Sequence, residues 1–241
     1  MRVYRSFSWK DTNLRVACAS FELVTRTVVE ARRQLERYIA RHPAFRTALA
    51  PLPLIDDPPE AARRMAAAAE LTGLGPMAAV AGTLAQLGAE AALAGGCAEA
   101  IVENGGDIFL VAVAPVTIAL HAGATLGNRL AFQIDPHQTP LALCSSSGTM
   151  GHSLSLGRCD LATVASRDAS LADAAATLVG NLVRRERDLT PALERVGAIP
   201  GIDGILAVVG GRIGLWGQLP PLVRNEDAAT GAKITRDLHA G

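Results

Sequence analysis

Between residues 98 and 134 four short apolar runs follow one another: AEAIVE (98–103), DIFLVAV (107–113), VTIALHA (116–122) and LAFQI (130–134). Turn-forming residues separate them at Asn104-Gly105-Gly106, Ala114-Pro115 and Gly127-Asn128. This block reads as a series of strands. The helical patterns lie elsewhere in the chain. Residues 27–41 place Val28, Ala31, Leu35, Tyr38 and Ile39 on one face and Arg32, Arg33 and Arg37 on others, with Pro43 just beyond. An Ala-rich run follows the Pro-rich passage 51–59; Asp57 is its expected N-cap, Pro58 and Glu60 stand at the first and third helical positions, and Gly73 ends it. Residues 76–94 form a second long helix between Pro76 and Gly95-Gly96. Its small residues Ala78, Ala79, Ala81, Gly82 and Ala85 allow another backbone to come close. Strands in runs with helices grouped apart predict an α+β fold, a mainly antiparallel sheet packed with helices.

Further elements are expected at 14–24 (a strand) and 160–165 (a short buried strand). A helix capped by Ser170 is expected to run to about Arg184, and a hairpin to join ILAVV and RIGLW across Gly210-Gly211. The chain reads as one domain over 1–241. It divides into an N-terminal strand and helix portion (1–57), a core (58–223) and a loosely held polar tail (224–241). Aromatics make up 4% of the sequence although half of it is apolar, so the core must be built from Ala, Val, Leu and Ile.

Lys plus Arg equals Asp plus Glu, 23 each. The basic excess expected of a nucleic-acid binder is missing, and the densest basic cluster, Arg184-Arg185-Glu186-Arg187-Asp188, is interleaved with acids. Cys18, Cys97, Cys144 and Cys159 form no CxxC motif and read as reduced, mostly buried thiols. The N-terminus has no apolar stretch of the signal-peptide kind, and the apolar runs are interrupted short of a membrane span. The expected location is cytoplasmic, with neither membrane nor nucleic acid as partner.

Three motifs carry polar chemistry. Asn104-Gly105-Gly106-Asp107 combines two residues without Cβ, which let a ligand approach the backbone, with an amide and a carboxylate. A plain hairpin turn accounts for the same residues. Ser145-Ser146-Ser147-Gly148 reads as a polar loop able to cradle an anion through hydroxyls and amides. With His152 nearby, Ser147 and His152 are the candidates for catalytic groups, although no G-x-S-x-G elbow or GK[ST] ending is present. Asp173 and Thr177 stand one helical turn apart, a pair of hard oxygen donors suited to Mg²⁺, which also binds substrate phosphates. A capping role explains Asp173 equally well if Ser170 is the N-cap, but leaves Thr177 unexplained. No pair of histidines has the spacing of a zinc site.

The order of these motifs resembles the ApbE family. ENGGDI is followed by IDP and then by a strand leading into LADAAAT. Over most of its length the chain is more closely similar to a branch of short bacterial and archaeal ApbE-like proteins, through HPAFRTALAPL (42–52), GLGPMAAVAG (73–82), VENGGDI (102–108), CSSSGTMGHSLSLG (144–157) and LADAAAT (171–177). The resemblance implies an ApbE-type T-fold and flavin transfer, in which Mg²⁺ and FAD serve to attach FMN to a Ser or Thr of a target protein. It implies that Asp173 and Thr177 hold the metal and that Asn104, Gly105, Gly106 and Asp107 lie at the flavin nucleotide. A homodimer is expected by the same analogy.

The chain departs from the transferases in three places. PMAAVAG lacks the Lys and the Asp carried before the GGD turn. Phe132 stands where they carry a His. Asp135-Pro136-His137-Gln138-Thr139-Pro140 replaces a shorter DP turn containing Gly. A Lys lost near phosphates and a His lost as proton carrier leave three readings open: a transferase or hydrolase of a phosphate-bearing ligand, a flavin- or nucleotide-binding protein without catalysis, and a structural oligomer without ligand.

Overall fold

The computed structural model describes residues 2–148 and 158–226. Two strands open the chain, β1 (Arg5–Trp9) and β2 (Thr12–Cys18), followed by helices α1 (Phe21–Arg41), α2 (Ala44–Thr47) and α3 (Glu60–Thr72). A 3-10 turn over Pro76–Ala79 leads into α4 (Val80–Ala94). Then come β3 (Ala100–Asn104), β4 (Asp107–Val111), β5 (Val116–Leu120), the single turn α5 (Gly123–Leu126), β6 (Leu130–Ile134) and β7 (Leu141–Ser146). The last part comprises β8 (Leu161–Ser166), α6 (Ala169–Leu182), α7 (Leu189–Gly197), β9 (Ile202–Val209), β10 (Arg212–Gly217) and β11 (Leu222–Arg224).

Eight strands form one sheet in the order β1-β2-β3-β4-β7-β8-β9-β10, and β11-β6-β5 form a second. Among the described residues every pairing is antiparallel. Period-two alternation sends successive side chains of the large sheet into different cores. Val102, Phe109, Ala142, Val164 and Ala207 face α1, α4, α6 and α7. Ile101, Leu110, Leu143, Ala165 and Leu206 face the small sheet, where Phe132 and Ile134 lie. A third cluster around Tyr38, Phe45, Met65 and Ala174 binds α1, α2 and α3 to the outer side of the helix layer.

Several local expectations are corrected. The apolar run 14–24 is not one strand: it ends at Cys18, and Phe21 already opens α1. Pro59, not Asp57, is the N-cap of α3, and Asp57 lies before the helix with φ +53°. Gly73 does end α3, in the left-handed conformation a C-terminal glycine supplies. The N-cap of α6 is Asp168, whose Oδ1 accepts from the N–H groups of Ser170 and Leu171. Ser170 is therefore inside the helix, and its hydroxyl accepts a bond from Thr83 of α4. Strands β1 and β7 and helix α7 were not anticipated. The polar tail is held as far as Asn225, because β11 pairs with β6 and Asn225 N–H donates to the Arg129 carbonyl; residues 227–241 lie outside the described part.

The segment Pro76–Ala94 is, contrary to the sequence reading, long and apolar enough to cross a bilayer by length and composition. Here it is a core helix. Leu84, Ala85, Ala89 and Ala92 are buried between the large sheet and α1 and α6.

Candidate functional site

The Asn104–Asp107 turn is a hairpin, with Asn104 opposite Asp107 and positive φ at both Gly105 (+64°) and Gly106 (+104°). A Cβ on either glycine would meet nothing within 4 Å, so the requirement is conformational and the space beside the turn is open. The turn differs from a plain surface hairpin in its flanks. Asn104 and Asp107 are both buried and belong to the strand positions that face the helices. Asn104 Nδ2 donates to the Ala81 carbonyl at 3.1 Å, and Asp107 Oδ1 accepts from Ser145 N–H at 3.1 Å.

Asp173 projects from α6 toward the first turn of α4, where Gly82 N–H donates to its Oδ2 at 2.9 Å. Gly82 is required there by steric contact: a Cβ would lie 2.3 Å from the Ala169 carbonyl oxygen and 2.9 Å from Asp173 Cβ. The close backbone approach expected from the small residues of 76–85 takes place at this position. Two more bonds hold the crossing, Thr83 Oγ1 to Ser170 Oγ at 2.8 Å and Ala169 N–H to Gln86 Oε1 at 2.7 Å. Helices α4 and α6 thus cross near their N-terminal turns with Asp173 held at their contact. Asp173 is the fifth residue of α6, beyond the capping turn, so the cap does not explain it.

Two carboxylates from distant parts of the chain are brought together. Burial pushes the Asp107 carboxyl well above its ordinary range, and the neighbouring Asp173 charge raises it further. The Ser145 N–H, which donates to Asp107, and the Cys144 thiol beside it work in the other direction. Burial also pushes Asp173 up, to about 7, against the Gly82 and Ala81 N–H groups that favour its charged form. Cys144 is buried beside both and held firmly as a thiol by burial and the two carboxylates. No basic side chain among the described residues offsets either acid. Buried like charges of this kind are costly unless a cation or a proton neutralises them. Thr177, half-buried, stands one turn along α6 from Asp173. Among the described residues no three His, Cys, Asp or Glu side chains are arranged to hold a metal by themselves; two hard carboxylates and a hydroxyl are a donor set that Mg²⁺ can use, since it takes one or two carboxylates and completes its shell with water and phosphate oxygens.

The family profile described as "AbpE bacteria" matches residues 5–200. The chain belongs to that family. A UPF0280 protein of Methanocella arvoryzae is 42% identical over 198 residues, which are 82% of this chain and 81% of that protein. The ApbE-like fold is also seen in solved structures. The apo flavinyl transferase ApbE of Pseudomonas stutzeri superposes with a TM-score of 0.61 at 15% identity, covering 97% of both chains. Flavin transferase ApbE of Vibrio cholerae gives 0.59 at 14%, covering 90% of this chain and 96% of its own.

In this ApbE-like chain the serine run is not one cradle. Ser145 and Ser146 are the last residues of β7 and face opposite ways. The Ser145 hydroxyl turns toward the small sheet and bonds to Thr163 Oγ1 at 2.8 Å; only its backbone N–H serves Asp107. Ser146 shares the helix-facing side with Cys144, and its buried hydroxyl has no partner among the described residues. Ser147 is half-buried, and Gly148 N–H donates to the Cys159 carbonyl at 2.9 Å. His152 lies outside the described residues. Phe132 is fully buried in the other core, opposite Leu222 and Ile118. Asp135 opens a 3-10 turn closed by its capping box with Gln138, as a strand-ending turn should. Ala81, Gly82 and Cys144 were missed as site residues. Gly82 carried a signal, a glycine inside a helical pattern, whereas Cys144 was marked only as a buried thiol at the head of the serine run.

Proposed function

We propose that this chain binds Mg²⁺ and a flavin nucleotide, or a related phosphate-bearing ligand, where the β3–β4 turn meets the crossing of α4 and α6. One observation carries the reading: Asp107 and Asp173, from separate elements, are buried side by side with no basic partner among the described residues. Asp173 and Thr177 hold the metal, with Asp107 beside them. Gly105, Gly106 and the segment from Ser146 to Gly148 border the ligand. Gly82 N–H and Asn104 fix the first turn of α4 against these groups, and Ser145 N–H orients Asp107. Bound Mg²⁺ supplies neutralisation of phosphate charge. The names of the superposed transferases support a flavin, and transfer or cleavage at its pyrophosphate is the reaction this site suits best.

Calorimetric titration with FAD, FMN and ADP, each with and without Mg²⁺, tests the reading. Flavin binding that requires Mg²⁺ and disappears in Asp173→Ala supports it. Failure of all three ligands to bind rejects it. A second reading, ligand binding without turnover, is favoured by the Lys-free 76–82 stretch and by Phe132, which stands where the resemblance implies a His and lies in the core on the other face of the sheet from the two acids. Intact FAD recovered after prolonged incubation with protein and Mg²⁺ separates this reading from the first.

A further inference from the structure

Cys18 ends β2 and Cys97 lies in the turn between α4 and β3. Strand register pairs Cys18 with Ala100, three residues beyond Cys97. The turn folds back because Cys97 N–H donates to the Ala92 carbonyl at 3.0 Å and Gly96 N–H to the Leu93 carbonyl at 3.0 Å. It packs against the start of α1: a Cβ on Gly95 would lie 2.8 Å from Leu23 Cδ2. These contacts place the two thiols beside each other against the same core cluster. Both thiols are free and half-buried, whereas Cys144 and Cys159 are fully buried. Gly96 and Ala98, on either side of Cys97, are exposed.

We propose that Cys18 and Cys97 form a site of reversible oxidation, closed to an intramolecular disulfide by a small disulfide oxidant. Cys97, in the exposed turn, loses its proton and attacks one sulfur of the oxidant, giving a mixed disulfide and one thiol. Cys18 then gives up its proton and attacks the Cys97 sulfur, displacing the second thiol. Two thiols are oxidised, one external disulfide is reduced, and two protons pass to the leaving thiolates. Burial, which pushes the Cys18 thiol up, makes it the poorer first nucleophile. The bond closes a loop of about 80 residues around α1, α3 and α4. It ties the far end of α4 and leaves Gly82 and Asp173 untouched.

The full-length protein is incubated with oxidised glutathione, alkylated, digested and mapped by mass spectrometry. The expected product is a Cys18–Cys97 linked peptide pair lacking two hydrogens and reversed by dithiothreitol, with a Tm raised by roughly 5 °C or more. Cys144 and Cys159 stay reduced and become alkylated only on unfolding. In Cys18→Ser the exchange stops at Cys97, recovered with one glutathione. No linked peptide from the wild-type chain overturns the proposal, whatever the variant does. Cys97 recovered unmodified from a folded Cys18→Ser variant overturns its role as the entry thiol.

Discussion

At the residue scale the candidate site centres on two buried acids. A carboxyl whose folded pKa is raised holds its proton more tightly in the native state than in the unfolded chain. Its contribution to stability is present below the unfolded value and lost as pH rises toward the folded one. For Asp173 that window runs from about 4 to about 7, and Asp107 shifts in the same direction. The Tm of metal-free protein should therefore fall as pH rises from about 4 to about 7. Added Mg²⁺ should raise Tm more at the upper end, which a thermal melt series at each pH measures. Asp107→Asn removes one of two like charges at constant shape. It is expected to raise metal-free Tm at about pH 8 and to shrink the Mg²⁺ effect. A metal-free Tm independent of pH in the wild-type chain would count against burial of both carboxylates.

At the element scale the site depends on how closely α4 approaches α6. Gly82→Ala puts a methyl group against the Ala169 carbonyl and must push the helices apart. A loss of about 1–3 kcal/mol is expected by denaturant titration, with a larger loss of Mg²⁺ response than that destabilisation explains. Thr83→Val leaves the buried Ser170 hydroxyl without its donor and should cost about 1–3 kcal/mol. Asp168→Ala removes the α6 N-cap for about 1 kcal/mol and should leave Mg²⁺ binding intact, because Asp173 is fixed from α4 and not from the cap. The helical and hairpin assignments along the chain were legible because they rest on local signals: Gly73 after α3, Asn104-Gly105-Gly106, and Gly210-Gly211 between β9 and β10. The α6 cap was misplaced by two residues because Asp168 and Ser170 are both good caps, and the Ser170 hydroxyl is taken up by Thr83, far away in sequence.

At the scale of the molecule, the large sheet separates two cores. The acids and the helix crossing lie on one face, Phe132 and the small sheet on the other. Phe132→Ala should cost about 3–5 kcal/mol in denaturant titration, since the ring is fully buried. The same variant should keep its Mg²⁺-induced rise in Tm. If it lost that response while still folded, the two faces would not be independent.

The sequence by itself determined the class of fold and the antiparallel character of the sheet, because apolar periodicity and turn residues act over a few positions. It also singled out Asn104 and Asp107 beside the Gly105-Gly106 turn, and Asp173 one helical turn from Thr177. It did not determine which way Ser145 and Ser146 point. A run of hydroxyls has no hydrophobic alternation to reveal a strand, and their direction follows from the pairing of β7 with β4 and β8. Nor could it show that Asp107 and Asp173 adjoin, that Gly82 holds one of them, or that Cys18 meets Cys97. These contacts join residues separated by tens of positions and exist only once the strands are in register and α4 is packed against α6, because tertiary packing alone fixes such distances.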